Sequence, residues 1–166
     1  EKGLAWFQRD PRLFQFRGGR VISNAFQECK PDFAEALAQV VRQGGETESN
    51  FAIAVLPNYN GNASTHVVLK EIVARFPEDE GKLDAATISI DNTGVVSGEL
   101  GFAEAWRVRK SLLEEWLSDD RDAVKGFARK HIARLDRLIA SEHRQAESER
   151  ELRKRDFEDA DGDDAS

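Results

Sequence analysis

RVRKSLLEEWLSDDRDAVKGFARKHIARLDRLI, residues 107–139, holds two apolar stripes of helical period divided by an acidic turn. Leu112, Leu113, Trp116 and Leu117 recur at the spacing that puts them on one face of a first helix. Val124, Phe127, Ala128, His131, Ile132, Leu135, Leu138 and Ile139 do the same for a second. Between them, Ser118, Asp119, Asp120 and Asp122 are short polar side chains that accept N–H bonds from a helix's first turn, so they mark where the second helix starts. One such hairpin cannot bury either stripe alone. It must stack on neighbouring helices.

The chain upstream supplies neighbours of the same kind. Residues 31–43 predict an amphipathic helix: Pro31 suits a first turn, Asp32 and Glu35 suit its positive end, and Phe33, Leu37, Val40 and Val41 share a face. Gly44 and Gly45 stop it. Asn50 is then expected to cap a helix carrying Phe51, Ile53, Ala54, Val55 and Leu56, which closes before Pro57. Ser64 or Thr65 is expected to cap residues 66–76, with Val68, Leu69, Ile72, Val73 and Phe76 inward. Leu83, Ala86, Thr87 and Ile90 continue the helical period, although residues 88–90 also suit a short strand. Residues 92–98 read as a loop in preference to a hairpin, because an isolated two-stranded ribbon is marginal in water. Helices over 104–117 and 122–139 follow, and residues 141–155 keep helical propensity while losing the apolar stripe. The acidic residues 156–166 are expected to be disordered.

The hairpin of residues 107–139 resembles one unit of a HEAT repeat: an apolar first helix, a turn with aspartate, then a second helix opening on Val124 followed by basic Lys125. The pairs 33–56 and 65–90 lack that turn signature. The resemblance implies an all-α solenoid of stacked helical hairpins over residues 1–155, with 141–155 as a polar cap. It also implies that the first helix of the 107–139 pair packs back onto the 65–90 pair. With TGVVSGELGF (93–102) before it and LRKRDFE (152–158) after it, the region is similar to the C-terminal ends of some large bacterial multidomain proteins. That similarity implies a piece of a longer chain whose missing part carries any NTPase or nuclease chemistry, while this part senses or scaffolds.

Composition narrows the function classes. The 166 residues carry a formal charge of -7 and a pI of about 5.1, a field that repels nucleic acid and anionic membranes. The charge is uneven: residues 1–30 hold six basic against three acidic groups, 31–100 four against eleven, 101–155 fourteen against eleven, and 156–166 none against six. The single cysteine, Cys29, makes no internal disulfide, no signal peptide is visible, and no apolar run is long enough for a bilayer, so a cytoplasmic setting is expected. Methionine is absent even at position 1, which adds to the expectation of a fragment.

No local pattern points to catalysis, a cofactor or a metal. Asp159 to Asp164 (DADGDD) misses calcium-loop spacing, since Gly162 follows Asp159 by three residues where an EF-hand needs glycine at position six. His66, His131 and His143 form no close ligand motif, and His131 lies on an apolar stripe. Residues 94–101 match neither dinucleotide nor P-loop spacing, and the sequon at Asn62 is coincidental in a cytoplasmic chain. A scattered catalytic set of Cys29, His66, Asp91 and Glu99 is permitted by composition and supported by nothing local. Arg9, Arg12, Arg17 and Arg20 interleave with Phe7, Leu13, Phe14 and Phe16. Either the aromatics are core and the arginines reach into water, or this is a nucleic-acid or partner surface. The expected function is a non-catalytic protein-interaction or scaffolding module acting on a protein partner or the rest of the parent chain. A nucleic-acid-binding accessory domain using the four arginines is the alternative.

Overall fold

The computed structural model describes residues 1–59, 62–92 and 101–163, with the backbone alone for 154–163. Helix begins near the amino end with α1 (Lys2–Arg9) and α2 (Pro11–Leu13), which passes through a π turn (Phe14–Gly18) into α3 (Gly19–Ala25). Asp10 separates α1 from α2 and caps α2, its carboxylate accepting the Leu13 N–H at 3.0 Å. Gly18 and Gly19 are required by close approach. A Cβ on Gly18 would stand 2.3 Å from the Phe14 ring, and one on Gly19 would stand 2.4 Å from the Asn58 amide.

Helix α4 (Pro31–Gln43) starts and stops where Pro31 and Gly44 dictate. Its buried line is Ala34, Leu37, Ala38 and Val41, with Phe33 and Val40 at the margin. Helix α5 (Glu46–Val55) begins earlier than expected, and Asn50 lies inside it. The start is fixed by Glu48, whose carboxylate turns back to accept the Gly45 N–H at 2.8 Å, so the residues expected to be a linker form the first turn. Short 3-10 turns at Leu56–Tyr59 and Ala63–Thr65 lead to α6 (His66–Arg75). Thr65, one of the two expected candidates, stands at the N-cap of α6 without a side-chain cap bond, and Asn62 caps the preceding 3-10 turn, accepting the Ser64 N–H at 2.9 Å.

Asp79 caps α7 (Glu80–Asp91), which is helical through residues 88–90, with Ile90 buried and Ile88 66% exposed. The strand option fails because the alternate residues fall on opposite sides of a helix. Among the described residues there is no strand. Residues 93–98, expected to form a loop, lie outside the described residues. Helix α8 (Gly101–Glu114) tightens into a 3-10 turn (Glu115–Ser118) that carries Trp116, and α9 (Asp122–Asp163) follows. Residues 156–163, expected to be disordered, continue that helix. At 1.5 Å per residue its 42 residues extend about 63 Å.

Helices α8 and α9 form an antiparallel hairpin, tied by Lys110 to Asp136 at 2.7 Å and by an Arg107–His143 contact. Helix α8 packs on α7, as expected of the first helix, and α9 packs on α6. Helices α4 and α6 run parallel: Ala34 and Val67 share a cleft at one end, and Arg42 meets Glu71 at 3.0 Å towards the other. A regular repeat stack pairs first helix with first and second with second, as α4 and α6 do. The last hairpin differs, since α9 takes α6 as its main outside partner and α8 takes α7. One apolar cluster runs from Phe7 to Leu135 through all these elements. Beyond Ala146, residues 147–153 of α9 are all exposed.

Candidate interaction surface

The N-terminal aromatics divide into an inner and an outer set. Phe14 is fully buried and meets Trp6, Phe7 and Phe51 with ring centroids 5.4, 5.4 and 5.3 Å away. These tilted and edge-on contacts lock the segment onto α5. Phe16, two residues on, is 80% exposed, and Leu13 is 43% exposed. Arg12, Leu13, Phe16, Arg17, Arg20 and Val21 are all exposed, whereas Phe14, Gly18 and Gly19 are buried. Arg9 is exposed on the preceding helix. None of the four arginines forms an ion pair among the described residues. The adjacent acid, Asp10, already serves as a helix cap. Both sequence readings thus hold in part: Phe7 and Phe14 are core, whereas Phe16 and Leu13 join the arginines outside.

Several arginines elsewhere are bonded to carboxylates of the fold. Glu71 receives Arg42 and Arg121, each at 3.0 Å, and Arg121 also grips Asp119 through Nε and Nη2 at 2.8 and 2.9 Å. Lys70 stands 3.7 Å from Asp119 and lies over the Trp116 ring. Burial pushes the Glu71 carboxyl up, but the two guanidiniums outweigh it and hold the group below its usual range. Asp119, bonded to Arg121, falls to about 2. This network joins α4, α6 and the turn before α9.

A second polar assembly lies where α6, the 115–118 turn, α9 and the end of α7 meet. The Trp116 indole N–H donates to His66 Nδ1 at 3.0 Å, and Trp116, Phe127 and His131 follow one another at centroid spacings of 5.9 and 5.7 Å. His131 Nε2 then meets Asp91 Oδ1 at 2.8 Å, and Arg134 bonds the other oxygen. Burial, with the Arg109 and Lys70 charges, depresses the His66 pKa to about 4. Since Nδ1 accepts from Trp116, a neutral His66 carries its proton on Nε2, which has no hydrogen-bond partner among the described residues. Burial opposes ionisation of Asp91, yet His131 and Arg134 prevail and keep its pKa low.

The described members of the scattered catalytic set, Cys29, His66 and Asp91, make no hydrogen bond or ion pair with one another. Asp91 is engaged by His131 and Arg134, His66 by Trp116, and Glu99 lies outside the described residues. Cys29 is buried beside Tyr59 with its thiol pKa raised by burial, and Tyr59, also buried, rises to about 12. Burial that raises a thiol's pKa lowers its thiolate fraction and with it its reactivity. His143 contacts Arg107 at the surface. An open cleft of about 980 Å3 beside the stacked Phe26 and Phe33 rings offers Glu28, Lys30 and Asp32 at its edge. Among the described residues no cluster of His, Cys, Asp or Glu could hold a metal ion, and no helix is long and apolar enough to cross a membrane. The ladder from His66 to Asp91 joins residues that the sequence shows no local reason to associate. No family model matches this chain, and no curated protein or solved structure shows significant similarity to it.

Proposed function

We propose that the chain is a non-catalytic interaction module that docks an acidic protein segment on the outer side of residues 11–25. The observation that carries this reading is the exposure of Phe16 amid Arg12, Arg17 and Arg20, on a helix whose opposite side is locked into the core. A large exposed apolar ring within an unpaired cationic surface gives both a hydrophobic anchor and a charge filter, the composition of a binding hot spot. The helical pairs α4–α5 and α6–α7 serve as a stacked, HEAT-like scaffold that holds this surface, and the module is one part of a larger protein.

A protein partner is favoured over nucleic acid by the exposed Phe16, an apolar anchor among the arginines that phosphates do not use. A few arginines on one short helix also neutralise few phosphates. The test is a binding titration of an acidic peptide containing one aromatic residue, beside single- and double-stranded oligonucleotides. Saturable peptide binding that F16S and R17E abolish is the expected result. Oligonucleotide binding with a steep loss of affinity in salt, and none to the peptide, would replace this reading with the nucleic-acid alternative.

A further inference from the structure

Residues 156–164, DFEDADGDD, have the chemistry that the 11–25 surface calls for. They set one aromatic residue, Phe157, among six acids and no base, whereas the N-terminal surface sets one exposed aromatic, Phe16, among arginines. Resting on the reading that this surface takes an acidic segment, we propose that its occupant is residues 156–164 of a second copy of this chain, giving head-to-tail self-association.

The placement of the two segments supports pairing between chains. Helix α9 packs on α8, the 115–118 turn and α6, whereas α1 and α3 pack on α5 and its neighbouring turns, so the two charged regions belong to different parts of the fold. From residue 147 α9 leaves the core as an exposed helix, which carries the acidic segment about 25 Å along its axis by Asp163. A polar helical arm that carries acids away from the core presents them to a neighbour. Exposed ion pairs are individually weak, so the contact depends on several together, on the Phe157 anchor and on low salt. Because the two surfaces differ, the contact is heterologous and adds copies in an open series unless it closes into a ring.

The experiment is sedimentation or light scattering of the whole chain over a concentration series, at about 50 mM and about 500 mM salt. Wild type should grow with concentration at low salt and revert to monomer at high salt. R12E/R17E/R20E and a chain lacking residues 156–166 should each stay monomeric alone yet form one-to-one dimers when mixed, since each keeps one half of the contact. Adding D156K/E158K/D159K to the arginine-reversed chain should restore self-association. Helical circular dichroism confirms that each variant is folded, and F16S provides a milder break at the same surface. A wild type that stays monomeric, a mixture that forms no dimer, or a truncated chain that still self-associates would overturn the proposal. If those failures come with intact binding of a free acidic peptide at Phe16, the self-contact alone is wrong. If peptide binding fails too, the function proposed above falls with it.

Discussion

Arginines at the α4, α6 and α9 joint and arginines on the N-terminal surface carry the same charge and do opposite work. Arg42 and Arg121 close on Glu71 of α6, and Arg134 closes on Asp91 of α7. The other set, Arg12, Arg17 and Arg20, is exposed and forms no ion pair among the described residues. Aromatic residues divide in the same way, since Trp116 is 1% exposed and Phe16 80%. The contrast shows how to separate structural from available charge in a chain whose total charge says little. A guanidinium already bonded to a buried carboxylate would leave that carboxylate unpaired if it turned to a partner, whereas an unpaired one loses only water.

Breaking the inner region should have the largest effect. Trp116→Ala removes a fully enclosed indole and leaves His66 without its donor, so chemical denaturation should show a loss of about 3 to 5 kcal/mol. Phe127→Ala should cost less, since Phe127 is only partly buried. Acid should come next. His66 titrates near 4 in the folded chain against 6.5 in the unfolded one, so between those values the unfolded chain binds the extra proton. The contribution is complete above pH 6.5 and falls away towards pH 4, a loss on the order of 3 kcal/mol. Urea unfolding at successive pH values should show this slope, and His66→Phe should flatten it whatever its effect at pH 7. The depressed Asp119 loses its contribution only lower, between 3.8 and about 2.

Smaller effects sharpen the contrast. Glu71→Gln should cost about 1 to 2 kcal/mol, because both guanidiniums remain partly solvated. Phe16→Ser should change stability by no more than about 0.5 kcal/mol while abolishing binding of an acidic peptide. A destabilisation as large as that of Trp116→Ala would show that Phe16 belongs to the core and would erase the division between the two regions.

Local signals made some of this legible. Pro31 and Gly44 bound α4 because their backbone chemistry acts within a turn of where they stand. Gly45 had read as part of a helix stop, and only the reach of Glu48 back to its N–H reveals a start, which is why Asn50 had seemed the cap. The hydrogen bonds from His66 to Trp116 and from His131 to Asp91 cross 50 and 40 residues, and no spacing rule spans such gaps. The N-terminal surface was half visible. Its residue types are evident, but choosing Phe14 as inner and Phe16 as outer requires knowing that α5 lies against Phe14 and Gly19.

Helix α9 changes surroundings midway along its length. Around Val124, Ala128 and Leu135 its backbone lies against packed side chains, so those amides should exchange with solvent deuterium only when the whole domain opens. Along residues 147–153, where every side chain faces water, exchange should need only the breaking of a few helical bonds, because a polar helix without packing is marginal by itself. One unbroken helix would therefore report two protection regimes, and the residue where they meet would mark the edge of the cooperative folding unit.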